Sequence, residues 1–265
     1  MKIFISADIE GVTGVTHWNE TELSHAEHAV AREQMTAEVV AACEGALQAG
    51  ATEIWVKDSH DTARNLIAAR LPQEARLIRG WSGHPFQTLT QIDKTFHATL
   101  LIGYHSGAGF GKSPLEHTWS GNLMCVKLNG RYISEFSLDA LTGSYVGAPV
   151  VFVSGDQGLC AHVADTNPNI QTVAVKEGVG EAMVNIHPDL AVARIRAGVT
   201  QALQGDPASC RLSLPEHFSL EMRYRQHSRA YQMGFFPGAC QTGTFTVEYN
   251  TGDYFELLRF FMFAI

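Results

Sequence analysis

Paired cysteines are missing from this sequence. The five that occur, Cys43, Cys125, Cys160, Cys210 and Cys240, are scattered, odd in number and never spaced as C-x-x-C. That excludes a disulfide framework and a thiolate zinc site, and it points to a reducing compartment such as the cytoplasm, with each cysteine read as a small buried hydrophobe. Cationic runs are missing as well. Lys and Arg number 19 against 27 Asp and Glu, for a formal net charge of −8, with no Lys/Arg cluster. A nucleic-acid partner needs cationic surface to displace counterions, so that class is excluded. No stretch approaches the roughly 20 apolar residues that span a bilayer. The apolar start MKIFISADIEG is broken by Asp8 and Glu10, which argues against a signal peptide or membrane anchor. The apolar tail 254–265 carries Glu256 and Arg259 and is expected to be a buried helix or a subunit contact. Internal repeats and low-complexity segments are also lacking.

What is present is a globular composition, with 45% hydrophobic and 17% charged residues in a chain of 265, long enough to bury a core without staples. β-rich runs at 2–7, 53–58, 77–80, 98–105, 148–156 and 171–176 alternate with helical stretches at 25–49, 136–147, from Asp156 onward, and 189–204. Gly50 is a helix stop, Asp156 an N-cap and Pro188 a helix start. Asn129-Gly130 between two β-rich runs predicts a hairpin turn. The alternation predicts an α/β fold with a mostly parallel sheet flanked by helices. After about residue 206 the texture changes to strands at 217–224 and 240–249 with helices after each. Two domains are expected: a catalytic α/β domain over 1–187 and a smaller C-terminal α+β domain over 188–265.

Asp8 and Glu10 end the first strand with one residue between them. Residues two apart in an extended chain face the same way at roughly 7 Å, and two carboxylates on one face repel unless a cation lies between them. His60 closes EIWVKDSH and His105 closes ATLLIGYH. Open α/β sheets bind ligands beyond the carboxyl ends of their strands, so three strand ends present metal-capable residues at one edge. Nitrogen and oxygen donors without thiolates suit catalytic zinc. Asp58 and Asp61, beside His60, are read as solvated flanks, with orientation of the imidazole as the alternative. Lys176 ends a predicted strand, where it either holds an oxyanion or substrate carboxylate or is simply exposed. Gly107 to Ser113 imitates a P-loop, but the residue at the required first glycine is Ser106. A flexible active-site lid is the preferred reading of that loop.

The stretches SADIEGVTG (6–14), KDSHD (57–61), LIGYHS (101–106), His117 and GRYISEFSLDA (130–140) resemble the D-aminopeptidase family of dinuclear zinc metallopeptidases. So do VSGDQ (153–157), the segment ending at Lys176, and PGACQTGTFTVEY (237–249). The similarity runs over most of the chain, and the order of the motifs is specific. The segment between His105 and His117 is a residue longer and richer in glycine than is typical of the family.

The resemblance implies that Asp8 bridges two zinc ions, that Glu10 and His105 complete one, and that His60 and Glu135 complete the other. By itself Glu135 reads as an ordinary glutamate at a helix N-terminus. With a bridging hydroxide, three carboxylates and two Zn²⁺ balance to neutrality, which a partly dry cavity favours. His117 matches the family's catalytic histidine, which is sometimes called its nucleophile. Proton transfer as base or acid is the reading chemistry favours here. The resemblance also implies short peptide substrates with D-residue preference and a ring-shaped decamer, a homo-oligomer whose sites face an inner chamber. The expected function is a cytoplasmic, zinc-dependent aminopeptidase with no nucleic-acid or membrane partner. A dinuclear phosphoesterase and a non-catalytic peptide-binding assembly are the alternatives.

Overall fold

The computed structural model describes residues 1–265. In chain order the elements are β1 (Lys2–Ala7), α1 (His28–Gln48), β2 (Glu53–Asp58), β3 (Ala75–Ile78), β4 (Ala98–Tyr104), β5 (Leu123–Leu128), β6 (Arg131–Tyr132), α2 (Glu135–Val146) and β7 (Val150–Asp156). They continue with α3 (Gln157–Thr166), β8 (Gln171–Val179), β9 (Ala182–Asn185), α4 (Pro188–Gln204), β10 (Phe218–Tyr224), α5 (His227–Met233), β11 (Ala239–Gly243), β12 (Thr246–Thr251) and α6 (Tyr254–Ala264).

A seven-stranded sheet runs in the order β3-β2-β1-β4-β7-β8-β9. All its pairs are parallel except β8 with β9. β4 and β7 are buried along their whole lengths, as continuous apolar runs covered on both faces should be. The chain moves outward from β1 through β2 to β3, then crosses back to β4 on the other side of β1. The strand order therefore reverses between β1 and β4, where a crevice opens at the carboxyl ends of the strands.

A second, antiparallel sheet has the order β11-β12-β10-β5-β6. Its hairpin turn at Asn129-Gly130 has positive φ at both residues, 50° and 79°, the geometry of a two-residue hairpin loop. The two sheets do not divide at residue 187. The β5–β6 hairpin joins the C-terminal sheet, while α4 packs its buried residues Ala191, Ile195 and Val199 into the core of the parallel sheet. Arg196 and Thr200 bind α4 to Glu44 and the Gly45 carbonyl of α1. Helix α2 lies between the cores. Its Phe136 and Ala140 belong to the first and its Leu138 and Leu141 to the second, so 135–143 is buried all round and shows no amphipathic stripe. The apolar tail forms α6, which buries Leu257, Leu258, Phe260 and Phe261 in the second core. No helix is long and apolar enough to cross a membrane.

Candidate metal centre

The crevice at the strand-order reversal holds a cavity of ≈ 590 Å³ lined by Asp8, Glu10, His60, His117 and Glu135 among others. Asp8 and Glu10 follow β1, His60 follows β2, His105 follows β4, and Glu135 opens α2. Backbone packing brings these ends together. A Cβ on Gly11 would stand 1.7 Å from the Tyr104 carbonyl oxygen, and one on Gly103, whose φ is +73°, would stand 2.3 Å from that of Asp8. Only glycine lets β1 and β4 approach this closely.

Each histidine has one nitrogen committed to a backbone carbonyl. His60 Nε2 donates to Thr21 O at 2.8 Å, His105 Nδ1 to Ser106 O at 2.9 Å, and His117 Nδ1 to Leu115 O at 2.9 Å. That fixes the tautomer and leaves the opposite nitrogen with a lone pair. Those free nitrogens face carboxylates. His60 Nδ1 is 3.0 Å from Glu10 Oε2 and 3.3 Å from Asp8 Oδ1. His105 Nε2 is 3.4 Å from Glu135 Oε1 and 3.5 Å from Asp8 Oδ2. His117 Nε2 is 3.5 Å from Glu135 Oε1 and 3.9 Å from Glu10 Oε1. The rings of His105 and His117 stack at 4.1 Å, with Trp18 edge-on to His117 at 5.3 Å.

Lone pairs facing carboxylate oxygens in a buried site repel unless a cation lies between them. Glu10 Oε2 and His105 Nε2 are buried without a hydrogen-bond partner, an expensive state unless something else is bound there. Donor atoms of Asp8, Glu10 and His105 lie within 4.8 Å of one another, as do those of His105, His117 and Glu135. The same demand for positive charge shows in the proton affinities. Burial would lower His60 and His105, but the carboxylates, Glu10 foremost for His60 and Glu135 for His105, hold both well above the usual imidazole range. Burial would raise Asp8, yet His105 and His60 hold it well below the usual carboxylate range. The donor set of three carboxylates and imidazoles, with no thiolate, fits zinc.

Lys176 sits behind this site and does not line its cavity. It is buried, and its ammonium donates to the Glu10 and Val15 carbonyls at 2.5 and 2.6 Å. Burial lowers it to about 8. It is not the exposed lysine of a strand end, but grips the loop that carries Glu10. Asp58 is not solvated. Fully buried, it accepts from Asn65 N and Leu66 N at 2.6 and 2.8 Å and from Asn65 Nδ2 at 2.9 Å, and Asn65 Nδ2 also donates to the His60 carbonyl at 2.8 Å. Asp61 lines the cavity with φ at 42°. Asp156 caps α3 through Leu159 N and accepts from Ser106 N at 2.6 Å. A carboxylate therefore stands at the start of the glycine-rich loop, where a phosphate would need donors. The loop itself is tied down by bonds from Gly109 N and Lys112 N to the Glu116 carboxylate and from Ala108 N to Thr118 Oγ1.

Trp18, Trp81 and Trp119 also line the cavity, and none of the three carries a signal in the sequence. Trp119 has φ at 56°, and its backbone N–H donates to Glu135 Oε1 at 2.7 Å. Strain of this kind persists where the surroundings hold it, and it clusters at functional sites. The chain has four tryptophans, but nothing in their spacing marks three of them as one pocket wall.

Residues 1–263 match the family model described as D-aminopeptidase. A D-aminopeptidase of Bacillus subtilis (strain 168) is 29% identical over 258 residues, covering 97% of this chain and 93% of the relative. The structure described as the Zn-dependent D-aminopeptidase DppA from Bacillus subtilis, a self-compartmentalizing protease, superposes with a TM-score of 0.93 at 27% identity. That superposition covers 100% of this chain and 96% of the other.

Proposed function

We propose, from the premise that this chain belongs to the D-aminopeptidase family, that it is a zinc-dependent aminopeptidase. It would cleave short peptides or amino-acid amides with a free N-terminus, with D-residues preferred. The observation that carries this reading is the ring of free imidazole nitrogens and carboxylate oxygens converging on one buried gap.

Asp8, Glu10, His60, His105 and Glu135 would hold two zinc ions. Asp8 would bridge, since its two oxygens face different histidines. By the resemblance, Glu10 and His105 would hold one ion and His60 and Glu135 the other, although the short distances pair His60 with Glu10 and His105 with Glu135. Zinc, when bound, supplies a Lewis acid that polarises the scissile carbonyl and acidifies an attacking water. His117, whose Nε2 is free and turned into the cavity, would take a proton at that atom and return it to the leaving amine. Lys176 would act by position, fixing the carbonyl of Glu10. The three tryptophans would exclude water and grip the substrate side chain. No Lys or Arg lines the cavity to receive a phosphoryl group, which sets the phosphoesterase reading behind. A closed homo-oligomer, with the decameric ring as its form, belongs to the same proposal, because the Bacillus protein is described as self-compartmentalizing.

The test is elemental analysis of wild type and Asp8→Ala, with hydrolysis of D-Ala and L-Ala anilides measured alongside. About two zincs per wild-type chain, strong loss in the variant and zinc-dependent release from the D-anilide are expected. A wild-type protein that takes up no zinc on titration would overturn the ligand assignment. One that takes up zinc but cleaves no peptide or amide would overturn the peptidase.

A further inference from the structure

The parallel ladder fixes β1, β2 and β4 against one another. It does not fix α2, which enters from the β5–β6 hairpin of the other sheet and brings Glu135. Something must set the position of α2 along β4, because a slip of the helix would carry Glu135 away from His105.

Beneath the site lies a buried chain of hydroxyls ending on a carboxylate. Tyr104 Oη is 2.6 Å from Asp139 Oδ2 and 2.7 Å from Ser6 Oγ, and Ser6 Oγ is 2.7 Å from Ser59 Oγ. Thr88 Oγ1 donates to Asp139 Oδ1 at 2.6 Å. Tyr104 has a single hydroxyl proton. Directed to Asp139, it leaves Tyr104 Oη to accept from Ser6, so the phenol links the two groups in one chain. Tyr104, Ser6 and Asp139 are all buried, and a carboxyl group in such surroundings is costly unless its bonds are made.

The members of this chain are neighbours of the expected ligands. Ser6 lies two residues before Asp8, Ser59 directly before His60, Tyr104 directly before His105, and Asp139 four residues after Glu135 on the same helix face. Four segments that arrive from three strands and a helix are thus joined through one phenol.

We propose that Tyr104 is a positioning residue for the metal centre: its hydroxyl, bonded to Asp139 and Ser6, locks α2 to β1 and β4 and so sets Glu135 and Asp8 against His105. This rests on the ligand set proposed above. It goes further by assigning the site's geometry to a group that touches neither metal nor substrate.

The test uses the full chain with Tyr104→Phe, which keeps the ring and removes one oxygen. Zinc affinity is read by competition with a chromophoric chelator, and the ligand field by the visible spectrum of the cobalt(II) protein. A 10- to 100-fold loss of zinc affinity, the range typical of groups that orient ligands, together with an altered cobalt spectrum, is expected. Wild-type affinity and spectrum in the variant would overturn the inference, even if its melting temperature fell. A wild type that binds neither metal would instead overturn the ligand set. Should Tyr104→Phe fail to fold, Ser6→Ala cuts the same chain on the β1 side and leaves the Tyr104–Asp139 bond. It should weaken zinc binding in the same direction, and unchanged binding there would equally reject the proposal.

Discussion

Single residues in this site are defined by which of their atoms are already spoken for. A backbone carbonyl takes one nitrogen of each of His60, His105 and His117, and so decides which nitrogen is left for chemistry. The same accounting identifies Glu38, buried beneath the loop that carries Glu10. Its Oε1 accepts from Thr13 N and Gln34 Nε2, and its Oε2 has no partner. Burial pushes this carboxyl from 4.5 up to about 7, against those two bonds, which pull it down. A folded-state value above the unfolded one means a stabilising contribution that is complete below about pH 4.5 and is lost as pH rises through about 7. Glu38→Gln removes that titration. Its stability relative to wild type should rise by roughly 3 kcal/mol between those limits, read by urea unfolding across the pH range. A difference that does not change with pH would reject the assignment.

Elements meet here at distances that side chains would forbid. Gly11→Ala would drive its Cβ into the Tyr104 carbonyl, which is backbone and cannot yield. Gly14→Ala, at φ +87° with nothing within 4 Å of its Cβ, meets only conformational strain. The first variant should give no soluble folded protein. The second should fold and lose about 1 kcal/mol, and comparable behaviour of the two by circular dichroism would contradict the close approach of β1 and β4. Most elements were legible in the sequence. The strand at 53–58, the Asp156 cap and the Asn129-Gly130 turn fall where local chemistry puts them, because caps, turns and continuous apolar runs act over a few residues. The limits near 187 and the partner of the β5–β6 hairpin were not. Whether a hairpin joins one sheet or another depends on an edge that is about 90 residues away in sequence, where Asn129 meets Ser219.

At the scale of the whole molecule, the C-terminal core supports the candidate metal centre across the sheet boundary. Phe261 of α6 packs edge-on against the Trp119 ring at 5.1 Å, and the Trp119 backbone N–H holds Glu135. Tyr254 of the same helix donates to the Leu138 carbonyl of α2 at 2.8 Å. Phe261→Ala should therefore cost about 3–5 kcal/mol of unfolding free energy, as a large-to-small change in a core does. It should also lower zinc retention on dialysis, although Phe261 lies outside the cavity lining. Full zinc retention in a destabilised variant would show that the two cores act independently.

Taken alone, the sequence determined the α/β class, most element positions and the edge of the sheet where the functional residues would gather. These follow from apolar periodicity, capping and the rule that strand ends carry the site. It also marked Asp8, Glu10, His60 and His105, because a carboxylate or imidazole directly after an apolar strand is conspicuous. Tertiary structure decided the rest: that Asp58 is buried, that Lys176 grips a loop instead of facing the cavity, that three tryptophans wall the pocket, and that Tyr104 joins four segments. Each of these depends on which distant groups share a buried space, and a side chain's partners, unlike its propensity, are not written in its neighbours along the chain.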